Sequence, residues 1–165
     1  MSARDHSAGF EEIVAAMMAG EDHDRFGYRI MLWANFYAGP VYAEIERRFG
    51  LLHDEWNILD HLANYGPLTA RSICRVTGRP KNSVSRAVER LARAELIDRK
   101  PAASDGRKVI LSIRPKGRRL FARAVPLYLA REKLMLHALG TRERRQLDRL
   151  LDKLLASSKA WHKTY

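Results

Sequence analysis

A helical pattern over residues 81–94 carries side chains that can hydrogen-bond to the edges of nucleic-acid bases. Asn can bind adenine through two hydrogen bonds, Arg can bind guanine in the same way, and Ser can bind a phosphate or a base edge. Val84, Val88 and Leu91 recur at helical spacing and predict the buried face of this helix. The side chains left for DNA are Lys81, Asn82, Ser83, Ser85, Arg86 and Arg90. The same pattern would also fit a solvated basic face on a structural helix.

A second, shorter helix is predicted just before the first one, over residues 70–76. Thr69 precedes it and is a good N-cap, because its hydroxyl can accept a hydrogen bond from the first helical turn. A turn at residues 77–80 joins the two helices, as in a helix-turn-helix that presents its second helix to the major groove. Arg71 in the first helix and Arg79 in the turn are further candidate DNA contacts.

Two strands are predicted after the helix pair, at residues 95–99 and 108–113. An Asp-Gly step in the polar segment between them favours a tight hairpin turn, so the segment has the pattern of a wing. Arg107 and Lys108 at the tip can reach a minor groove, which attracts Arg when it is narrow. Asp105 repels phosphate, so we expect it to pair with a neighbouring arginine and order the DNA-binding tip.

The net charge of the chain is concentrated in this region. Residues 68–119 contain 15 Lys or Arg and 4 Asp or Glu, a balance of +11. The whole chain has 30 Lys or Arg and 19 Asp or Glu, so the remainder carries 15 of each and is neutral. A locally basic module between neutral helical segments is typical of a DNA-binding domain on a separate scaffold.

Several other classes of protein are disfavoured by the sequence. No run of 18 apolar residues and no signal pattern occur, so we expect a cytoplasmic protein without a membrane span. The single cysteine, Cys74, excludes an internal disulfide and is interpreted as a packed apolar side chain.

The six histidines are too scattered for a metal site, and we expect no cofactor. Asp54 and Glu55 are interpreted as a helix cap and a solvated face; no catalytic constellation stands out, so an enzyme is not expected.

Helices are predicted on the N-terminal side of the basic module. Residues 1–23 are interpreted as an N-terminal arm. A helix begins at Asp24 and is predicted to break at Gly39-Pro40, and a second short helix follows over residues 41–49. Asp54 is predicted to cap a third helix that closes at Gly66-Pro67.

Two more helices are predicted after the wing. The first starts at Pro115, contains Pro126 and runs to about Leu139, and Thr141 is predicted to cap the second. The last helix carries a leucine stripe at the spacing i, i+3, i+4, i+7, i+8. Its members are Leu147, Leu150, Leu151, Leu154 and Leu155. The stripe is wider than a short helix of a small monomer needs, which favours a dimer, although it could also pack within one subunit.

The motifs together resemble the MarR family of winged-helix regulators over about residues 24–160. The resemblance rests on a set of short motifs spread along the chain. They are Leu51-Leu52, Trp56, Leu59, Leu68-Thr69, Asn82 to Arg86, Arg90-Leu91, Leu96 to Arg99, Asp105 to Lys108, Leu111 and Gly117. Two positions depart from the family pattern: Glu95 stands where Gly is common, and Arg114 stands where a Thr commonly caps the next helix.

The resemblance implies a homodimer that places one helix in each of two successive major grooves of a palindromic operator. It also implies a small aromatic or anionic effector, bound between the dimerisation helices and the DNA-binding domain. The corresponding candidates are Arg29, Trp33, Phe36, Tyr37, His53 and Trp56, with Tyr42 and Arg47 nearby. Aromatic residues at helical spacing are also typical of an ordinary core.

The expected fold is mainly α with a small β-wing. A winged helix-turn-helix domain at residues 67–114 is joined to a helical dimerisation region at residues 24–66 and 115–165. The expected function is a dimeric, sequence-specific regulator that binds double-stranded DNA, a repressor relieved by a small effector. The alternative is an architectural protein that binds DNA without sequence preference and contacts only phosphates.

Overall fold

The protein is described by a computed structural model that covers residues 25–102 and 105–157, together with Gly9, Glu12 and Ala15. Arg25 and residues 105–107 are described by their backbone alone. The predicted arm at residues 1–23 lies outside the described residues, apart from those three positions. The chain divides into two compact units, residues 1–36 and residues 37–165.

The described residues form six helices and three short strands, so the fold is mainly α with a small sheet. In chain order the elements are α1 (Arg25–Phe49), α2 (His53–Tyr65), β1 (Leu68–Thr69), α3 (Ala70–Thr77), α4 (Lys81–Arg93), β2 (Ile97–Ala102), β3 (Asp105–Ile113), α5 (Pro115–Met135) and α6 (Thr141–Ala156). The predicted winged helix-turn-helix pattern is confirmed: α3 and α4 precede a β-hairpin.

The predicted break at Gly39-Pro40 is wrong, because α1 continues through Pro40 to Phe49. Proline removes one helical hydrogen bond and bends a helix, but it does not end one that packing holds on its far side. Val41 and Ile45 provide that packing, since they are 4% and 0% exposed. Tertiary burial therefore outweighs the local signal.

Local signals explain the helix-turn-helix. The N-cap prediction at Thr69 is confirmed, because its Oγ1 accepts a hydrogen bond from the Ser72 N–H at 3.0 Å. Gly78 ends α3 in the left-handed region with φ 67°, where a residue without Cβ is least strained. In α4 the apolar positions Val84 and Leu91 are each 1% exposed, as their spacing predicted.

The wing is a three-stranded antiparallel sheet in the order β1-β3-β2. Leu68 pairs with Leu111, and Ile97 pairs with Ile113. The strands differ from their predicted bounds: β2 starts two residues later, at Ile97, and β3 starts three residues earlier, at Asp105. Residues before Ile97 are used instead to close the C-terminus of α4.

The core lies where α2 packs on α4 and α5. Trp56, Leu59 and Leu62 of α2 are at most 2% exposed. Cys74 is half-buried and packs against the core, as predicted.

Two predicted helix caps are wrong, and both corrections have the same cause. At α2 the Leu52 N–H donates to Glu55 Oε2 at 2.9 Å, so Glu55 and not Asp54 closes the first turn. At α6 the Gly140 N–H donates to Glu143 Oε2 at 2.7 Å, so Thr141 is already helical. In each case a glutamate in the third helical position reaches back to the chain before the helix.

The C-terminal helices also differ in detail from the prediction. Pro115 starts α5 and Pro126 lies inside it, as expected, but α5 ends at Met135 and not near Leu139. A tight turn follows, in which the Leu139 N–H donates to the Leu136 carbonyl at 3.0 Å. The last helix, α6, has no buried residue.

Candidate nucleic-acid interface

The exposed face of α4 holds the polar side chains that the sequence singled out. Lys81, Asn82, Ser85 and Arg86 are exposed, and Ser83 is half-buried. The opposite face is the buried one, so the helix divides into a packed side and a side open to a ligand. This is the arrangement that a helix needs to enter a major groove.

Three of the candidate cations have no ion-pair partner in the described part of the chain. Arg71 of α3 and Lys81 and Arg86 of α4 are all exposed, and no carboxylate of a described residue pairs with them. An exposed cation without an internal partner is available to a phosphate or to a base.

Arg79, in the turn before α4, is bound by a carboxylate. Its Nε lies 2.6 Å from Asp54 Oδ1, across 25 residues of sequence. The hydrogen bond from Arg79 to Asp54 raises the pKa of Arg79 above its ordinary value. The sequence interpretation of Asp54 as a helix cap missed this role, because the partner is distant in the chain.

Arg90 is also bound, by the neighbouring acid of α2. Its Nε lies 2.5 Å from Glu55 Oε1. The side chain of Glu55 is only 4% exposed, whereas that of Arg90 is 55% exposed. The interpretation of Glu55 as part of a solvated face is therefore wrong: it is a buried carboxylate with a charged partner. Glu55 is the third residue of α2, where a glutamate often caps a helix, so the sequence could have predicted the cap. It could not have predicted the ion pair with Arg90.

The wing brings further basic residues alongside α4. Lys108 is exposed on β3, while the side chains of Asp105 and Arg107 lie outside the described residues. A crevice of ≈ 150 Å³ runs between α4 and the sheet. Its lining includes Ser85 and Glu89 of α4, Arg99 of β2 and Val109 of β3.

Two basic residues after the wing, Arg114 and Lys116, are used within the domain. Arg114 forms ion pairs with Glu95 at 3.5 Å and with Asp98 at 3.6 Å. Lys116 Nζ donates to the Ala94 carbonyl at 2.8 Å, where it stabilises the C-terminal end of α4. These residues follow the wing in sequence, but they have protein partners.

The aromatic candidates of the second unit lie near α5. Tyr37 packs edge-on against Tyr128, with ring centroids 5.2 Å apart. Burial, together with a hydrogen bond to Tyr128, raises the pKa of Tyr37. Trp56 is 2% exposed and stacks on Phe121 at 5.2 Å, so its ring is covered by the protein's own core.

His53 and Tyr42 form a smaller cluster beside Arg79. Their ring centroids are 3.8 Å apart, and the Tyr42 hydroxyl donates to Asn57 Oδ1 at 3.3 Å. Burial and the nearby Arg79 charge lower the pKa of His53. Tyr42 also has a raised pKa, chiefly through burial.

The other effector candidates lie in the first unit, on the N-terminal part of α1. Arg29 is exposed, and Trp33 and Phe36 are 42% and 39% exposed. Arg47, on the second unit, forms an ion pair with Glu44 at 2.7 Å.

The described residues contain no group of His, Cys, Asp and Glu placed to bind a metal ion. Within the same residues, no helix is long and apolar enough to cross a membrane.

Comparison with known proteins gives consistent matches. The model of the MarR family matches residues 44–108. A probable transcriptional regulator from Pseudomonas aeruginosa is similar at 27% identity and a TM-score of 0.67, covering 79% of this chain and 97% of its own. A MarR/EmrR family transcriptional regulator from Acinetobacter sp. ADP1 is similar at 25% identity and a TM-score of 0.71, covering 81% and 94%.

A third structure shares the fold at lower identity. BpsR from Bordetella bronchiseptica is 21% identical with a TM-score of 0.69, covering 82% of this chain and 97% of its own. Its DNA binding is described as regulated by 6-hydroxynicotinic acid. No curated protein sequence matches the chain.

Proposed function

We propose that the chain, whose residues 44–108 match the model of the MarR family, is a dimeric, sequence-specific repressor that a small effector releases from DNA. The observation that carries the proposal is the division of α4. One face is buried in the core, and the other presents Asn82, Ser85 and Arg86. These side chains can distinguish bases in a major groove.

The contacts to DNA divide into reading and anchoring groups. Asn82 and Arg86 read base edges, and Ser83 and Ser85 bind a base edge or a phosphate. Lys81 and Arg71 bind phosphates beside them. Arg107 and Lys108 of the wing reach the neighbouring minor groove.

The exposed leucines of α6 support a dimer. Leu150, Leu154 and Leu155 are 52%, 41% and 61% exposed. A helix of this length is marginal by itself in water, so an uncovered leucine stripe favours a partner surface. The first unit likewise exposes Phe26 and Met31, at 64% and 53%. A second copy of the chain would cover both surfaces and form a large apolar interface.

Support for an effector comes from a protein of the same fold and from the aromatic and basic residues of α1. BpsR, which shares this fold, is described as regulated by an aromatic acid. The first unit offers Trp33 and Phe36 as aromatic contacts, with Arg29 for a carboxylate. Tyr37 and His53 are separate candidates on the second unit. Such an effector would act by favouring a dimer whose two α4 helices no longer match the spacing of the operator.

A competition experiment tests sequence specificity. The purified chain is bound to a labelled duplex from upstream of its own gene, and unlabelled duplexes are added. We expect the same fragment to displace the label at a concentration at least about 1000-fold lower than random duplex does. Equal displacement by both would contradict specific recognition and leave the architectural alternative. A footprint repeated with a panel of aromatic acids tests the effector.

The wing has its own test. Arg107→Ala should weaken binding and reduce the salt dependence of the affinity, because one phosphate-neutralising charge per protomer is lost. Arg149→Ala on α6 is the matched control, since it removes the same charge far along the chain. An unchanged affinity of Arg107→Ala at low salt would remove the wing from the DNA contacts.

A further inference from the structure

Two adjacent acids in the first turn of α2 each bind an arginine beside or within α4. We propose that Asp54 and Glu55 form an acidic clamp with Arg79 and Arg90, and that these arginines position α4 and do not bind DNA phosphate. The inference rests on the proposed function and deepens it, because it divides the arginines near the DNA into reading and positioning residues.

Burial supports the assignment of Arg90 most directly. Glu55 is 3% exposed. Its Oε2 accepts the Leu52 N–H at 2.9 Å, and its Oε1 faces Arg90 Nε at 2.5 Å. Among the described residues, Oε1 has no regular hydrogen bond, so the Arg90 charge is what compensates it there. A buried carboxylate is tolerated when a counter-charge stays beside it. If Arg90 moved to a phosphate, the Glu55 charge would remain buried without its partner.

Helix geometry places Arg90 at the edge of the DNA-facing surface. At 100° per residue, Asn82 and Arg86 lie nearly opposite the buried stripe of α4, whereas Arg90 is turned toward the side where Glu55 of α2 packs. The reading face and the clamped edge are therefore different parts of one helix.

The second ion pair of the clamp lies just before the N-terminus of α4. Arg79 precedes the helix by two residues, and its Nε is 2.6 Å from Asp54 Oδ1. The side chain of Asp54 is 18% exposed and that of Arg79 is 38% exposed, so the pair is partly shielded from water. Because the two ion pairs hold α4 from before its start and near its end, they oppose both sliding and rotation of the helix on α2.

Charge-balanced variants separate positioning from phosphate binding. Arg90→Met removes one partner, and Arg90→Met with Glu55→Gln removes both charges and leaves the net charge of the chain unchanged. The amide oxygen introduced by Glu55→Gln can still accept the Leu52 N–H. Arg71→Met is the matched control, because Arg71 is exposed on α3 and is proposed to bind phosphate. Each variant is measured by thermal unfolding and by fluorescence anisotropy with a duplex that the wild-type chain binds, over a series of salt concentrations.

The clamp predicts opposite signatures for the two arginines. Arg90→Met should lower Tm by about 5 °C or more, and the added Glu55→Gln should restore most of that loss. The double variant should keep the wild-type slope of log Kd against log salt concentration, with Kd changed by less than about threefold. Arg71→Met should keep its Tm and lose about 0.9 of that slope per protomer, because it removes one proposed phosphate contact.

Two results would overturn the inference. One is a double variant that loses as much salt dependence as Arg71→Met, which would make Arg90 a phosphate contact. The other is an Arg90→Met variant with the wild-type Tm, which would mean that the pair does not hold the helix. If the wild-type chain binds no duplex at all, the proposed function fails and the inference fails with it, and this outcome is distinct from the first two.

Discussion

Glu95 has a backbone conformation that suits glycine. Its φ is 58°, the one positive value among the described non-glycine residues. The Leu96 N–H donates to the Leu91 carbonyl at 2.9 Å and the Glu95 N–H to the Ala92 carbonyl at 3.0 Å, which closes α4 in a Schellman motif. Glu95 therefore occupies the left-handed position of this turn as a strained residue. The Arg114 ion pair at 3.5 Å is exposed and contributes little.

Replacing Glu95 with glycine should stabilise the domain. A left-handed L-residue costs about 1–2 kcal/mol, and the greater freedom of unfolded glycine offsets part of the gain. We expect Glu95→Gly to raise the free energy of unfolding by about 0.5–1 kcal/mol in urea titrations. Glu95→Ala is the control, because it loses the same ion pair and keeps the strain. The prediction would be contradicted if the Glu95→Gly variant were no more stable than the Glu95→Ala variant.

The lowered pKa of His53 makes stability depend on pH. Burial and the Arg79 charge disfavour the protonated ring in the folded state, so the unfolded chain binds more protons below the ordinary pKa of 6.5. Stability is therefore present above pH 6.5 and is lost as the pH falls through the lower pKa of the folded state. We expect Tm to decrease as the pH falls below 6.5, and His53→Gln to flatten that decrease. An unchanged pH profile of the variant would exclude His53 as the cause.

At the scale of elements, Gly117 determines how closely α5 approaches the end of α4. A Cβ at this position would lie 2.2 Å from the Leu96 carbonyl oxygen and 3.1 Å from Ile113 Cγ1. The oxygen is itself held, because it accepts the Arg114 N–H at 2.9 Å. A glycine at position 117 is thus required by a backbone contact between elements.

Gly117→Ala should destabilise the domain, because the backbone atoms around the added methyl group must shift. We expect the free energy of unfolding to fall by about 1–3 kcal/mol, measured by urea titration. Gly27→Ala is the matched control, since Gly27 also lies in a helix but a Cβ there meets no atom within 4 Å. Equal effects of the two substitutions would mean that close packing at Gly117 is not the reason for the loss.

For the whole molecule, charge and apolar surface are separated along the chain. The +11 of residues 68–119 equals the net charge of the entire protein, and the remainder is neutral. Two neutral scaffolds can associate without electrostatic repulsion between their helices, while each basic domain stays attractive to DNA. This separation and the exposed stripe of α6 support the same proposal, a dimer.

Leu151→Glu should break the proposed dimer. Leu151 lies in the middle of the stripe and is 42% exposed, so a charge there would be buried against the partner. We expect a monomer at micromolar concentration in sedimentation, with operator affinity lowered at least about 100-fold because the two half-sites are no longer linked. Arg149→Gln on the opposite side of α6 changes the net charge equally and should remain dimeric. A wild-type chain that sediments as a monomer would contradict the dimer itself.

The parts of the fold that were predictable are those with local causes. The N-cap at Thr69 and the buried stripe from Val84 to Leu91 depend on residues within a few positions of one another. The continuation of α1 through Pro40 was not predictable, since it depends on the burial of Ile45 in a core assembled from distant elements. Of the candidate site, the polar face of α4 was found from sequence, whereas the partners of Arg79 and Arg90 were not.

The sequence alone determined that a basic helix-turn-helix and wing lie between neutral helices, because periodicity, turn residues and charge are properties of nearby residues. The tertiary structure decided what the positive charges of that region do. Arg86 is left exposed on α4, Arg90 is bound to the buried Glu55, and Lys116 caps the end of α4 at the Ala94 carbonyl. These two arginines and the lysine are equivalent in a count of charges, and only the packing of residues far apart in the chain gives each a different environment.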